Sequence, residues 1–230
     1  MRLKTQHIFY AFIISVLLTM LFEYLDVFEF QVLFKPLIIL CLYFYYKRLE
    51  TKKALLYEAG LLFAFISNIL FLDRSIPSFL FFGVLCSLGY LTIFIFYILK
   101  QTRKRNFLAV LATSTPLLCI AAYQIYLFRD NLESNFWLVI LGGFIVCMYC
   151  GLSFYTYFLR SSRQTSYLLI SGICMFSTAV LFSIEVFFLN SDILRVPVIG
   201  SYALLQFSFM KFILEEESEE DALYLEENLL

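Results

Sequence analysis

Eight apolar stretches recur along the chain at a steady interval, separated by short polar breaks. They fall at roughly Ile8–Leu25, Phe30–Tyr46, Ala54–Leu72, Ser78–Leu99, Phe107–Phe128, Phe136–Leu159, Ser166–Leu189 and Val196–Leu214. Each is close to the ~20 residues that carry a helix across ~30 Å of hydrocarbon at 1.5 Å per residue. The breaks are too short to hold a soluble domain. Backbone groups in hydrocarbon must bond within their own segment or close a barrel, and segments this long and evenly apolar are helices. The sequence therefore predicts an all-α integral membrane bundle of about eight transmembrane helices.

Composition agrees. The 230 residues are 62% hydrophobic and 15% charged, with 28 Phe and 16 Tyr. Soluble domains carry about 25% charged residues, and one this small cannot hide so much apolar surface in a single core. The aromatic excess suits lipid-facing and interfacial positions. A net charge of −1 carries no basic signature of a nucleic-acid binder. The first 25 residues resemble a secretion signal in their Arg2, Lys4 and apolar run, but Thr19–Glu23 offers no small-residue cleavage site, so this is a retained first span.

Lys and Arg set the orientation. One set of breaks holds thirteen of the 17 basic residues, the alternate set holds Arg74, Arg129 and Arg195, and Lys35 lies within a span. Basic loops stay cytoplasmic, so both termini are expected there. Residues 1–214 form one eight-span domain. The tail from Glu215 to Leu230 carries eight acidic residues and reads as a solvated cytoplasmic tail. Nothing in the sequence selects a host beyond a bacterial inner membrane or a plasma membrane.

The six cysteines all lie in apolar segments, and Cys147-Met148-Tyr149-Cys150 has neither a second pair nor a nearby His. They read as small packing residues, with no metal site, disulfide framework or cofactor implied. Polar groups inside spans are more informative, because lipid makes them costly. Counting the helical rise, Lys35 lies about 8 Å inside the outer end of span two, Asn68 and Glu185 about 6 Å inside spans three and seven, and Tyr202 about 9 Å inside span eight. Gln206 is one turn deeper. Shared depth predicts an outward-opening polar pocket with Lys35 paired to Glu185. Lys35 could alternatively snorkel to the interface, as is expected of Glu58 near Lys52 and Lys53. Gln124 and His7 carry no assigned chemistry. Pro36 and Pro116 kink their spans where neighbours can satisfy the freed carbonyls.

Lys35-Pro36 opening span two, and Tyr202 with Gln206 four residues on in the last span, give the chain its resemblance to the lysoplasmalogenase-like, or YhhN-like, membrane family, which has eight spans. The order of features agrees over nearly the whole length. The chain departs from the family where the chemistry lies. Ser67-Asn68 stands where the family has Gly-Asp, Gly89-Tyr90 where it has a small residue and His, and Ala179-Val180, after Gly172 and Phe176, where it has Ser-Asp.

The resemblance implies hydrolysis of the vinyl ether of lysoplasmalogens, which needs a proton donor and a base to aim water. Asn68 and Val180 cannot exchange that proton, and Tyr90 is a poor acid near neutral pH. If activity survives, Glu185 is the remaining carboxyl, with Lys35 and Tyr202 in support. Lys35, Asn68, Tyr90, Glu185, Tyr202 and Gln206 are the candidate ligand-binding residues. The expectation is a divergent member that binds a lysolipid or similar amphiphile among membrane lipids. The alternative is an inert carrier, sensor or assembly partner.

Overall fold

The computed structural model describes residues 2–50, 54–73, 76–102, 106–132, 136–189 and 192–229. Among these, eight α-helices follow one another: α1 (Arg2–Tyr24), α2 (Phe28–Leu49), α3 (Leu55–Leu70), α4 (Pro77–Gln101), α5 (Phe107–Leu132), α6 (Phe136–Leu159), α7 (Arg163–Ile184) and α8 (Asp192–Leu229). Seven contain a stretch long and apolar enough to cross a membrane; α3, at 16 residues, is shorter. At 1.5 Å per residue α3 rises about 24 Å, less than the ~19-residue span expected there.

Local chemistry sets several boundaries. Pro77 sits in the first turn of α4, where a missing N–H costs nothing. Ser162 caps α7, accepting from the Thr165 N–H while the Thr165 hydroxyl accepts from the Ser162 N–H. Lys47 and Arg48 occupy the last turn of α2, complementing its dipole. The turn between α1 and α2 is tight, with Asp26 at φ 52°, a left-handed conformation that Asp tolerates better than most residues. The end of α7 is not a plain continuation of the helix. Glu185–Leu189 winds as a π-helix, a form that recurs at functional positions.

Seven helices close a ring in the order α1, α2, α3, α4, α6, α7, α8 and back to α1. α5 stands outside, packed on α6 and the π segment. Its attachment depends on Gly151, whose missing side chain leaves room for Ser114, and on the Thr113 hydroxyl donating to Gly151 O at 2.8 Å.

The interior differs between its two halves. Toward the end where α1 begins, aromatic rings fill it. Tyr46 and Tyr57 meet edge-on at 4.8 Å, and Phe94 stacks on Phe209 with centroids 3.8 Å apart and planes 12° apart. Tyr149 and Phe212 complete this plug around Phe209. The aromatics are therefore not confined to the lipid-facing and interfacial positions that their abundance suits. Phe81 and Trp137 are exposed, but Tyr46, Tyr57, Tyr149, Phe94 and Phe209 are fully buried in the ring. Near the same end, Glu58 is held by Lys47 at 2.6 Å; Lys52 and Lys53, its expected neighbours, lie outside the described residues. Cys147 and Cys150 are both buried, and the Cys150 thiol donates to Gly172 O at 3.1 Å, a packing role. The backbone of α8 stays helical through the acidic segment to Leu229.

Candidate functional site

Above the aromatic plug the ring encloses a chamber of about 220 Å³. Lys35 from α2, Asn68 from α3, Tyr90 from α4, Met175 from α7 and Tyr202 from α8 all line it. Tyr90 and Tyr202 form its floor: their rings meet edge-on at 6.4 Å, and Tyr90 rests against Phe94 of the plug. The remaining wall is mostly apolar and runs between α4, α5 and α6 along Val84, Ile125, Leu138 and Val146, with Ser87 and Gln124 as polar members.

A second, polar cavity of about 380 Å³ lies at the end where α1 finishes, lined by Glu23, Asp26, Gln31, Asp73 and Arg195. Lys35 and Phe71 line both cavities, so the second is a vestibule to the first. The Lys35 ammonium donates to the Glu23 carboxylate and, at 3.4 Å, to the carbonyl of Phe71. Arg195 donates through Nε to Glu185 at 3.1 Å and lies 3.9 Å from Asp26.

These contacts correct the expected pairing of Lys35 with Glu185. Lys35 is bonded to Glu23 instead, and Glu185 to Arg195. The reason is the tight α1–α2 turn, which brings Glu23 at the end of one helix alongside Lys35 near the start of the next. Arg195, read from sequence as a loop cation, is the first-turn residue of α8 that reaches the π segment. Shared depth alone could not distinguish helices that face one another from helices that do not.

Of the predicted site residues, Lys35, Asn68, Tyr90 and Tyr202 line one chamber, and Gln206 lies fully buried one turn below Tyr202. Glu185 is buried but outside the chamber lining. Gln124, left without a role, contributes to the chamber wall from α5. Among the described residues no Asp or Glu lines the chamber.

The floor carries an unusual surplus of hydrogen-bonding capacity. The Asn68 side-chain nitrogen, the Tyr202 hydroxyl and both polar atoms of the Gln206 amide are buried without a hydrogen-bond partner. Tyr202 lies within hydrogen-bonding reach of the Asn68 and Gln206 side chains, but no contact among the three has hydrogen-bond geometry. The Tyr90 hydroxyl reaches only the Met175 sulfur, at 3.9 Å. Each such orphan costs about 1–3 kcal/mol unless a ligand or water completes it. By contrast the Ser67 hydroxyl is satisfied by Gly83 O at 3.1 Å and Ser87 Oγ at 2.6 Å, and ties α3 to α4.

A family model described as the YhhN family matches residues 30–212, which takes in every element of the chamber and most of the vestibule. No curated protein and no solved structure matches the chain significantly.

Proposed function

The chain belongs to the YhhN family, and from that premise we propose that this multi-pass membrane protein binds a lysolipid or similar single-tailed amphiphile. The head lies in the vestibule and the tail in the chamber. The observation that carries this reading is the position of Lys35, whose ammonium stands where a polar cavity meets an apolar one. An amphiphile has the same division, and a lysine at the boundary suits a phosphate or carboxylate next to the tail. The apolar wall between α4, α5 and α6 gives the tail a direction.

Binding rather than hydrolysis is the reading the residues favour. Vinyl ether cleavage requires an acid and a base beside the bond. The chamber offers Asn68, Tyr90 and Tyr202 there, while the Glu23 and Glu185 carboxylates are each held by a cation at the vestibule side. The asymmetry of basic residues between alternate loops supports cytoplasmic placement of both termini, which sets the vestibule facing outward in a bacterial inner membrane or plasma membrane.

The test is native mass spectrometry of the full chain released from detergent, with palmitoyl-lysophosphatidylcholine titrated in, beside a turnover assay on lysoplasmalogen with a Glu185→Gln control. One bound lysolipid per chain, weakened by Lys35→Met, is expected, with no aldehyde released. Failure to bind any lysolipid sinks the reading. Aldehyde release that disappears in Glu185→Gln replaces it with a rebuilt hydrolase.

A further inference from the structure

Unbonded polar atoms at the chamber floor distinguish one kind of amphiphile from another. Asn68 and Tyr202 line the chamber, and Asn68 Nδ2, the Tyr202 hydroxyl and the Gln206 amide one turn below are buried and unpartnered. Asn68 is 7% exposed and Gln206 0%. A purely hydrocarbon ligand would leave every one of them unbonded. The set is uncharged and is dominated by N–H and O–H donors, so it matches a neutral acceptor rather than an ion. Gln206 presents a donor whichever way its amide is turned.

We infer that the floor of the chamber selects acyl amphiphiles, in which a carbonyl joins head to tail, over their ether-linked counterparts. This rests on the binding reading given above and adds the identity of the linkage. A carbonyl oxygen carries two accessible lone pairs and accepts from two donors at once. An alkyl ether oxygen is a weaker and more hindered acceptor, and in a vinyl ether the lone pair is further depleted by delocalisation into the double bond. With the head at Lys35 and the tail along the α4–α6 wall, the linkage lies over Asn68 and Tyr202. Sites that hold buried donors for a ligand group discriminate strongly against analogues lacking it, because the donors are then stranded. The preference is thus the reverse of the ether chemistry that the family resemblance implies.

The experiment compares two lysophosphatidylcholines of equal chain length, one palmitoyl ester and one hexadecyl ether, by titration of the full-length protein in nanodiscs. The expected result is about tenfold tighter binding of the ester, corresponding to one well-made hydrogen bond. Tyr202→Phe and Asn68→Leu should each bring the ratio toward one. Both variants are first checked for monodisperse elution and an unfolding temperature near that of the parent, and two independent substitutions guard against one failing to fold. Equal affinities in the parent protein, or a preference untouched by both variants, overturn the inference while leaving amphiphile binding intact. Binding of neither lipid overturns the binding reading and this inference together.

Discussion

The ammonium of Lys35 and the carboxylate of Glu23 are hydrogen-bonded across the α1–α2 hairpin, with side chains only 7% and 2% exposed. Two full charges so placed repay their desolvation only together. Removing one partner strands the other, at about 3–5 kcal/mol, whereas replacing both by apolar groups of similar volume is close to neutral. Thermal unfolding in detergent should therefore show large losses for Lys35→Met and for Glu23→Leu. The double variant should melt near the parent temperature while losing lysolipid binding. Additive losses would show that the pair is not energetically coupled.

Attachment of α5 makes a separate prediction. A Cβ on Gly151 would overlap the Ser114 hydroxyl and stand 3.0 Å from Ser114 Cα, so no side-chain rotation relieves it. Gly151→Ala should cost about 1–3 kcal/mol by forcing α5 away from α6. Gly142→Ala, where the nearest atom would be a Leu88 methyl at 3.6 Å, should be tolerated. Comparing unfolding temperatures of the two variants checks this, and equal losses would contradict the described seam.

Much of this architecture is legible in the sequence. Eight apolar stretches become eight helices, and counting depth along them brings Lys35, Asn68 and Tyr202 to one cavity, because the rise per residue is fixed. The partners of the charges are not legible in the same way. Glu23 lies inside the first apolar stretch, Ile8–Leu25, where the sequence assigns it no role, and its place beside Lys35 depends on a three-residue turn. Glu185 opens a π-helical segment, and Arg195 follows it, but the apolar composition of that segment looks like ordinary helix. Hydrophobic periodicity also fails to tell the exposed Trp137 from the buried Phe94, since in a membrane both sides of a helix are apolar. So the aromatic plug and the external position of α5 emerge only from the fold.

Arg195 has two carboxylate neighbours of very different standing. Glu185 is 2% exposed and bonded at 3.1 Å; Asp26 is 73% exposed and 3.9 Å away. The buried contact should be worth about 1.5–3 kcal/mol and the exposed one at most ~1 kcal/mol. Arg195→Gln should accordingly lower the unfolding temperature clearly, and Asp26→Asn hardly at all. Raising the ionic strength should leave the first effect in place, since a buried pair is little screened. A larger loss in Asp26→Asn would mean that Arg195 serves the turn rather than the π segment.

The final prediction concerns two phenylalanines on α8 separated by one residue. Phe209 is fully buried and stacked on Phe94 at the centre of the plug. Phe207 stacks on Phe12 at 5.8 Å, on the α1 side, and is only partly buried. Helices in lipid gain little from the hydrophobic effect against one another, so what each ring contributes is contact with its neighbours. Truncating Phe209 leaves a void that lipid cannot enter, and Phe209→Ala should cost about 3–5 kcal/mol. Truncating Phe207 leaves a groove that an acyl chain can partly fill, so Phe207→Ala should cost distinctly less. Unfolding of both variants in nanodiscs measures the difference. It should narrow when the proteins are unfolded from a detergent micelle, whose shorter and more mobile chains fill the Phe207 groove less well. Equal costs in both settings would mean that lipid does not contribute to the packing of α8.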